Sequence, residues 1–284
     1  MSKTTRRHVL ITGCSSGIGR CVAEGLAQRG HRVMASARRA EDVAALEAAG
    51  LPSTRLDLDD SQSIRDGFTE AMDRLDGRID GLFNNGAWGL PGAVEDLTRE
   101  ALAAQLETNL LGWLELTNLV IPPMRAQGFG RIIQNSSVLG LAAFPYRGAY
   151  VASKFALEGL SDTLRLELRG SGIDVCLIEP GPIESRFRAN ALTAFERWID
   201  HQGSVHAQAY QAQLERMRNP GPAAPFTLPP EAVLRRVIHA LESTRPRARY
   251  PVTLPTRLFG TMRRILPTRL MDRLLLAASG GGKR

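Results

Sequence analysis

Apolar positions along this chain come in short runs, separated by longer segments in which they recur at helical spacing, and the alternation holds from the N-terminus to about residue 180. Short runs bounded by turn formers read as strands covered on both faces, and the amphipathic segments between them read as crossover helices. Strands are predicted at Val9–Ile11, Val33–Ala37, Thr54–Leu58, Gly81–Asn84, Ile132–Asn135 and Asp174–Glu179. Helices are predicted at Ile18–Gln28 (ended by Arg29-Gly30), Ala40–Ala49, from a Ser61 cap to Leu75, as one long helix Thr98–Met124, and at Ala149–Arg169. Strands alternating with helices in this way make an α/β fold, a single-domain doubly wound parallel sheet with helices on both faces.

Beyond Pro180 the regularity loosens. Residues 183–228 hold scattered apolar residues with Pro220, Pro222 and Pro225 and are predicted to be an irregular substrate loop or lid; a helix follows from Pro229–Glu231. We expect the main domain to span 1–244 and a basic amphipathic extension to span 245–284. In that tail Leu258, Phe259, Met262, Ile265 and Leu266 recur among Arg257, Arg263 and Arg264, and after Pro267 the pattern resumes with Leu270, Met271, Leu274 and Leu275 beside Arg269 and Arg273. Such a helix packs on its own fold or a second subunit, or lies on an anionic membrane.

Charge changes the picture only at that end. The net charge is +7, but from Arg245 onward ten Lys/Arg face one acid (Asp272), leaving the rest of the chain at −2. A nearly neutral body without a recognition motif argues against nucleic acid as a partner. Cys14, Cys21 and Cys176 form no CxxC pair, so neither a disulfide scaffold nor a metal site is expected, and a reducing compartment fits. The run Val9–Ile11 is far too short for a secretory core, and no stretch nears the roughly 20 apolar residues that span a bilayer. The protein is expected to be cytoplasmic, with peripheral membrane contact through the tail as one of the two readings above.

Two patterns carry chemistry. The segment Thr12-Gly13-Cys14-Ser15-Ser16-Gly17-Ile18-Gly19 lies between the first strand and the first helix. Glycines there let the backbone approach a pyrophosphate, while the helix N-terminus offers free N–H groups and partial positive charge. The second strand ends Ala35-Ser36-Ala37-Arg38-Arg39, without the acid that holds the ribose hydroxyls of NAD; Ser36 and Arg38 suit the 2′-phosphate of NADP instead, with Arg39 as a further candidate. The second pattern is Tyr150 and Lys154, four apart on one helix face, where an ammonium lowers the pKa of a phenol, with Ser137 just past a strand to hold a substrate carbonyl.

In order and spacing these motifs resemble the short-chain dehydrogenase/reductase family over Val9 to about Pro182, which implies a Rossmann-type fold. The family's glycine loop matches Thr12, Gly13, Gly17 and Gly19, its adenine-contacting pair matches Asp57 and Leu58, and its NNAG motif matches Asn84 and Asn85. Its catalytic residues match Asn109 (part of a proton relay through a held water), Ser137, Tyr150 and Lys154, and its nicotinamide-closing segment matches Pro180 and Gly181, continuing to Ile183 and Ser185. Two departures stand out: Gly86-Ala87 replaces Ala-Gly, which predicts a slightly altered backbone, and Ser185 replaces the usual threonine. The resemblance is nearest the branch of retinol dehydrogenases, 17β-hydroxysteroid dehydrogenase-like enzymes and bacterial NADP-dependent aldehyde reductases. It implies reduction of an apolar aldehyde or ketone by NADPH, a pocket that includes Leu139, Phe144 and Phe187, and a homo-oligomer built on the Asn109 and Tyr150 helices. The competing reading is a catalytically idle NADP-binding module that senses redox state or binds partners.

Overall fold

The computed structural model describes residues 5–219 and 225–280. Seven strands form one parallel sheet: β1 (His8–Ile11), β2 (Arg32–Ala37), β3 (Ser53–Arg55), β4 (Gly81–Asn84), β5 (Gly130–Asn135), β6 (Ile173–Glu179) and β7 (Arg249–Pro251), in the order β3-β2-β1-β4-β5-β6-β7. Side chains alternate across it. Val9 and Ile11 join a core on one face with Val22, Leu26, Val233 and Val237, while Leu10 joins a second core on the other face with Trp113, Leu116 and Val120. The first core lies under α1 (Gly17–Gln28), α2 (Ala40–Ala48) and α9 (Glu231–Glu242), where Gly25 lets α1 approach Leu234 of α9. The second lies under α3 (Ser61–Arg74), α5 (Gly112–Ala126) and α6 (Gly148–Glu167), and α4 (Arg99–Leu106) leads into α5. Strand order reverses between β1 and β4, and the crevice beyond their carboxyl ends is where such sheets bind ligands.

The structure departs from the sequence expectations at four places. The cap of α3 is Asp60, whose Oδ1 accepts from the N–H groups of Gln62 (2.9 Å) and Ser63 (3.2 Å), whereas the Ser61 hydroxyl donates to Glu115 at 2.6 Å. The long helix from Thr98 is interrupted by a π-helical turn, Glu107–Leu111, between α4 and α5. Just after that turn the helix comes so near the β3 side that a Cβ on Gly112 would lie 2.1 Å from the Leu58 carbonyl oxygen.

The segment 183–228 is largely helical, with α7 (Phe187–Trp198) and α8 (Ala207–Arg218) forming a hairpin. Phe195, Tyr210, Leu214 and Met217 make a third core with Leu90, Ala93 and Ala149, and Ile183 pairs with Leu228 at its base. Pro220 and Pro222 lie outside the described residues. Lastly, the chain re-enters the sheet past residue 244 as β7, a strand too short to show periodicity, set among arginines and ending in a proline. Two further helices, α10 (Leu254–Ile265) and α11 (Thr268–Ala278), then pack on Ala142 and Phe144, with Arg263 donating to the Leu141 carbonyl at 2.7 Å. The outward face of α10 leaves Leu254, Leu258 and Ile265 exposed beside Arg257 and Arg264. Among the described residues no helix is long and apolar enough to cross a membrane.

Candidate active site

The glycine-rich loop is held by its neighbours as much as it is shaped for a ligand. Gly13 and Gly17 take left-handed backbones (φ 70° and 55°). A Cβ on Gly19 would lie 2.2 Å from the Gly13 carbonyl oxygen and 2.6 Å from Asn85 Nδ2. Thr12 Oγ1 accepts from the N–H groups of Asn85 (2.9 Å) and Gly86 (3.0 Å), and Asn85 Nδ2 donates to the carbonyls of Thr12 (3.0 Å) and Gly13 (3.1 Å). Asn135 Nδ2 donates in turn to Asn85 Oδ1 at 2.9 Å, so the loops after β1, β4 and β5 are tied together. Asn84, one residue earlier, is buried and donates to Thr117 and Gln134, both at 3.0 Å. Neither Gly86 nor Ala87 takes a left-handed backbone, so their exchanged order strains nothing, and Gly86 lends its carbonyl to Trp113 Nε1 at 2.7 Å.

The first turn of α1 is left open. Ser16 does not cap it with its side chain and no acid stands in that turn, so its N–H groups remain available to an anion. At the end of β2, the Ser36 hydroxyl is buried with no hydrogen-bond partner, and Arg38 is exposed and makes no ion pair among the described residues. Arg39, by contrast, is paired: its guanidinium holds Asp42 at 2.8 and 3.2 Å. Leu58 is buried beside Gly86, and the Asp57 carboxylate accepts from the Asp59 N–H at 3.2 Å. A glycine cradle, an uncapped helix start and an orphaned buried hydroxyl fit a dinucleotide.

At the other end, α6 brings Tyr150 and Lys154 against the end of β5. The Ser137 hydroxyl accepts from the Leu139 N–H at 3.0 Å and acts on the Tyr150 phenol, favouring its ionised form. Lys154 is 1% exposed; its Nζ donates to the Asn135 carbonyl at 2.8 Å and lies 4.3 Å from the Trp113 ring centroid and 5.6 Å from that of Tyr150. Burial lowers the lysine to about 7, and desolvation pushes the phenol above its ordinary range, with Ser137 pulling it back. The lowering of the phenol by the neighbouring ammonium that the sequence leads us to expect is not seen here: desolvation is the largest effect on both groups.

Asn109 sits in the π-helical turn, fully buried. Its Nδ2 donates to the Trp88 carbonyl (2.8 Å) and Ser153 Oγ (3.2 Å), and its Oδ1 accepts from the Trp88 N–H (3.2 Å). The side chain thus braces the turn against α6.

The segment after β6 closes over the glycine loop. Pro180 accepts from the Val138 N–H at 2.7 Å, and Gly181 passes Thr253 so closely that a Cβ would meet its hydroxyl at 2.2 Å. Ser185 stands against Gly17, and Arg186 donates to the Ser15 carbonyl at 3.1 Å. Phe187 then places its ring edge-on to Tyr150, centroids 5.4 Å apart, with Leu139 partly exposed beyond Ser137. Phe144 packs against the C-terminal helices, edge-on to Phe259 at 5.5 Å. Beside the start of α6 lies an open depression of about 540 Å³, lined by Val94, Glu95, Tyr146, His206 and Leu276 among others. Sequence reasoning missed Asn135, Trp113 and Trp88. Asn135 could have been found from its place two residues before Ser137; a backbone carbonyl and two indole rings leave no signal of their own.

Residues 7–194 match the family described as short chain dehydrogenase. Similar proteins include "Uncharacterized oxidoreductase YbbO" of Escherichia coli (strain K12), 42% identical over 274 residues that cover 96% of this chain and 95% of that one. The human 17-beta-hydroxysteroid dehydrogenase type 1 is 33% identical over 270 residues, covering 87% of this chain and 78% of that one. Among solved structures, a short chain dehydrogenase/reductase from Burkholderia phymatum in complex with NAD is 25% identical, with a TM-score of 0.78 and 97% and 96% of the two chains covered.

Proposed function

The chain belongs to the short-chain dehydrogenase/reductase family, in the branch of the retinol and 17-beta-hydroxysteroid dehydrogenases, and from that premise we propose that it reduces apolar aldehydes or ketones with NADPH. The observation that carries the reading is the arrangement of three side chains at the end of a crevice that fits a dinucleotide: Ser137 acting on the Tyr150 phenol, and Lys154, fixed by the Asn135 carbonyl, with its Nζ 5.6 Å from the Tyr150 ring centroid.

Gly13, Gly17 and Gly19 would hold the pyrophosphate against the open start of α1, with Leu58 beside the adenine. The bound dinucleotide supplies the hydride. Tyr150 gives its phenolic proton to the carbonyl oxygen, and the Ser137 hydroxyl donates a hydrogen bond to the same oxygen as negative charge builds there. Lys154 stabilises the phenolate left behind until solvent restores its proton. Asn135 and Trp113 hold the ammonium in place through carbonyl and ring.

Preference for NADP rests on the end of β2, which offers an unpartnered hydroxyl and an unpaired guanidinium and no carboxylate. The neighbour from Burkholderia phymatum holds NAD, so the choice depends on these side chains and not on the fold. An apolar substrate is supported by Phe187 against the phenol, by the partly exposed Leu139 two residues past Ser137, and by the hydroxysteroid in the name of the human relative.

The test is consumption of NADPH, with NADH in parallel, over a panel of apolar aldehydes and ketones. Wild-type protein is expected to turn over aldehydes with NADPH. Tyr150→Phe should lower kcat/KM by about 10²–10⁴, the usual worth of a positioned acid, while NADPH still binds. Turnover retained in that variant would overturn the assignment.

A further inference from the structure

The pair on α6 continues. Tyr150, Lys154 and Glu158 are each four residues apart, so they stack along one helix face. Residues at and just past the end of β5 face them: the Asn135 carbonyl takes Lys154 Nζ at 2.8 Å, Ser136 Oγ donates to Glu158 Oε1 at 2.5 Å, and Ser137 acts on the Tyr150 phenol. Room is kept for the carboxylate, because a Cβ on Gly140 would lie 2.7 Å from Ser136 Oγ and 3.1 Å from Glu158 Cγ. Glu158 is 7% exposed, and its other oxygen accepts from Arg249 Nη2 at 2.8 Å. Nothing in the reduction chemistry above uses it.

Arg249 arrives from β7. Besides Glu158 it holds Asp162 of α6 through two bonds of 2.9 Å and stands 3.1 Å from Glu179 Oε1 of β6. Arg165 adds a bond to Asp162 at 2.9 Å, and Arg264 of α10 acts on Glu179 from further off. When ionised, Glu158, Asp162 and Glu179 carry three negative charges, faced by Arg249 and Arg165 and, from further off, by Arg264. Lys154, on the same helix and 1% exposed, is the most deeply buried cation near them. Burying an ammonium is costly unless an opposite charge lies near, and a carboxylate one turn away meets that need. We propose that Glu158 is a positioning residue for the Tyr150–Lys154 pair: fixed by Ser136 and Arg249, its carboxylate is the counter-charge that keeps Lys154 an ammonium beneath the phenol. Through Arg249 the last strand of the sheet takes part in that arrangement.

The chain has three lysines, Lys3, Lys154 and Lys283, so protein labelled with ¹³Cε-lysine gives a spectrum in which Lys154 can be followed directly. Titrated by NMR in the full chain without cofactor, Lys154 in Glu158→Gln should lose its proton about one pH unit lower than in wild type, a tenfold change in its dissociation constant, with Lys3 and Lys283 unmoved. The sign follows from the charge: Glu158 favours the ammonium, so removing it brings deprotonation earlier. An unchanged Lys154 midpoint in folded Glu158→Gln would overturn the proposal, since a merely structural role lowers Tm and leaves the midpoint in place. Should that variant not fold, Ser136→Ala decides: it weakens the hold on the carboxylate, which then takes up a proton more readily, and the midpoint should move the same way by a smaller step; a stationary midpoint overturns the idea. The proposal rests on the functional reading above only for its consequence, an alkaline limb of carbonyl reduction that moves with the midpoint. A wild-type protein that reduces no carbonyl would count against that reading while leaving the NMR result to judge Glu158.

Discussion

The floor and the roof of the crevice are made of different contacts. On the floor, backbone meets backbone and short polar side chains: Gly19 against the Gly13 carbonyl, Thr12 and Asn85 bonding each other's main chain, Asn135 bonding Asn85. Over Tyr150 the roof is side chain against side chain, with Phe187 edge-on to the phenol and the α7–α8 hairpin clipped down by Phe195 and Tyr210. A floor of this kind has no slack, because backbone cannot change rotamer. A roof of aromatic and aliphatic contacts can exchange one side chain for another of similar volume. The difference suits the division of labour proposed here, an invariant dinucleotide below and a substrate of variable shape above.

The largest expected effect is therefore on the floor. In Gly19→Ala the added methyl would sit 2.2 Å from the Gly13 carbonyl oxygen, and neither that backbone nor the Asn85 amide can retreat without breaking the bonds to Thr12. Overpacking of this kind costs about 1–3 kcal/mol, so binding of NADPH and NADH alike should weaken up to about a hundredfold, read by fluorescence titration. Binding within twofold of wild type would show that the floor is softer than its contacts imply. A smaller and selective effect is expected at the rim. Arg38→Ala removes one charged partner of a 2′-phosphate at an exposed position, where solvent screens part of its worth, and NADPH should bind about tenfold more weakly while NADH is unmoved. Equal losses for the two dinucleotides would put Arg38 outside the phosphate site.

The same division explains what could be read from sequence. Gly13, Gly17 and Gly19 were legible because close backbone approach and positive φ exclude almost every other residue, and Tyr150 and Lys154 because their chemistry requires those types at that spacing. Contacts made by main chain leave no such mark: the Asn135 carbonyl that holds Lys154 could belong to any residue. The π-helical turn at Glu107–Leu111 is equally silent, and the close approach of Gly112 to Leu58 beside it is a contact between segments far apart in sequence. In the roof the signal existed but was outweighed. Tyr210, Leu214 and Met217 fall at helical spacing, yet the prolines that follow pulled 183–228 toward an irregular reading. Arg249 was hidden for a third reason, that a strand of three residues has no period, and with it went the link between β7 and α6.

The roof itself is best probed at Phe187, the first residue of α7. Its ring touches Tyr150 and fills the space in front of Gly89, where a Cβ would come within 2.7 Å of the ring, yet the residue is 38% exposed and so carries little of the fold's stability. An edge-on aromatic pair is worth about 0.5–1.5 kcal/mol beyond its buried area. Phe187→Ala is accordingly expected to raise KM for an apolar aldehyde by a few-fold, to leave dinucleotide affinity unchanged, and to move kcat little, because Ser137 and Lys154 still hold the phenol. A bulkier aldehyde should gain relative to a small one as the space before Gly89 opens. If kcat fell a hundredfold instead, with KM steady, Phe187 would be orienting Tyr150 rather than covering substrate, and the roof would prove as exacting as the floor.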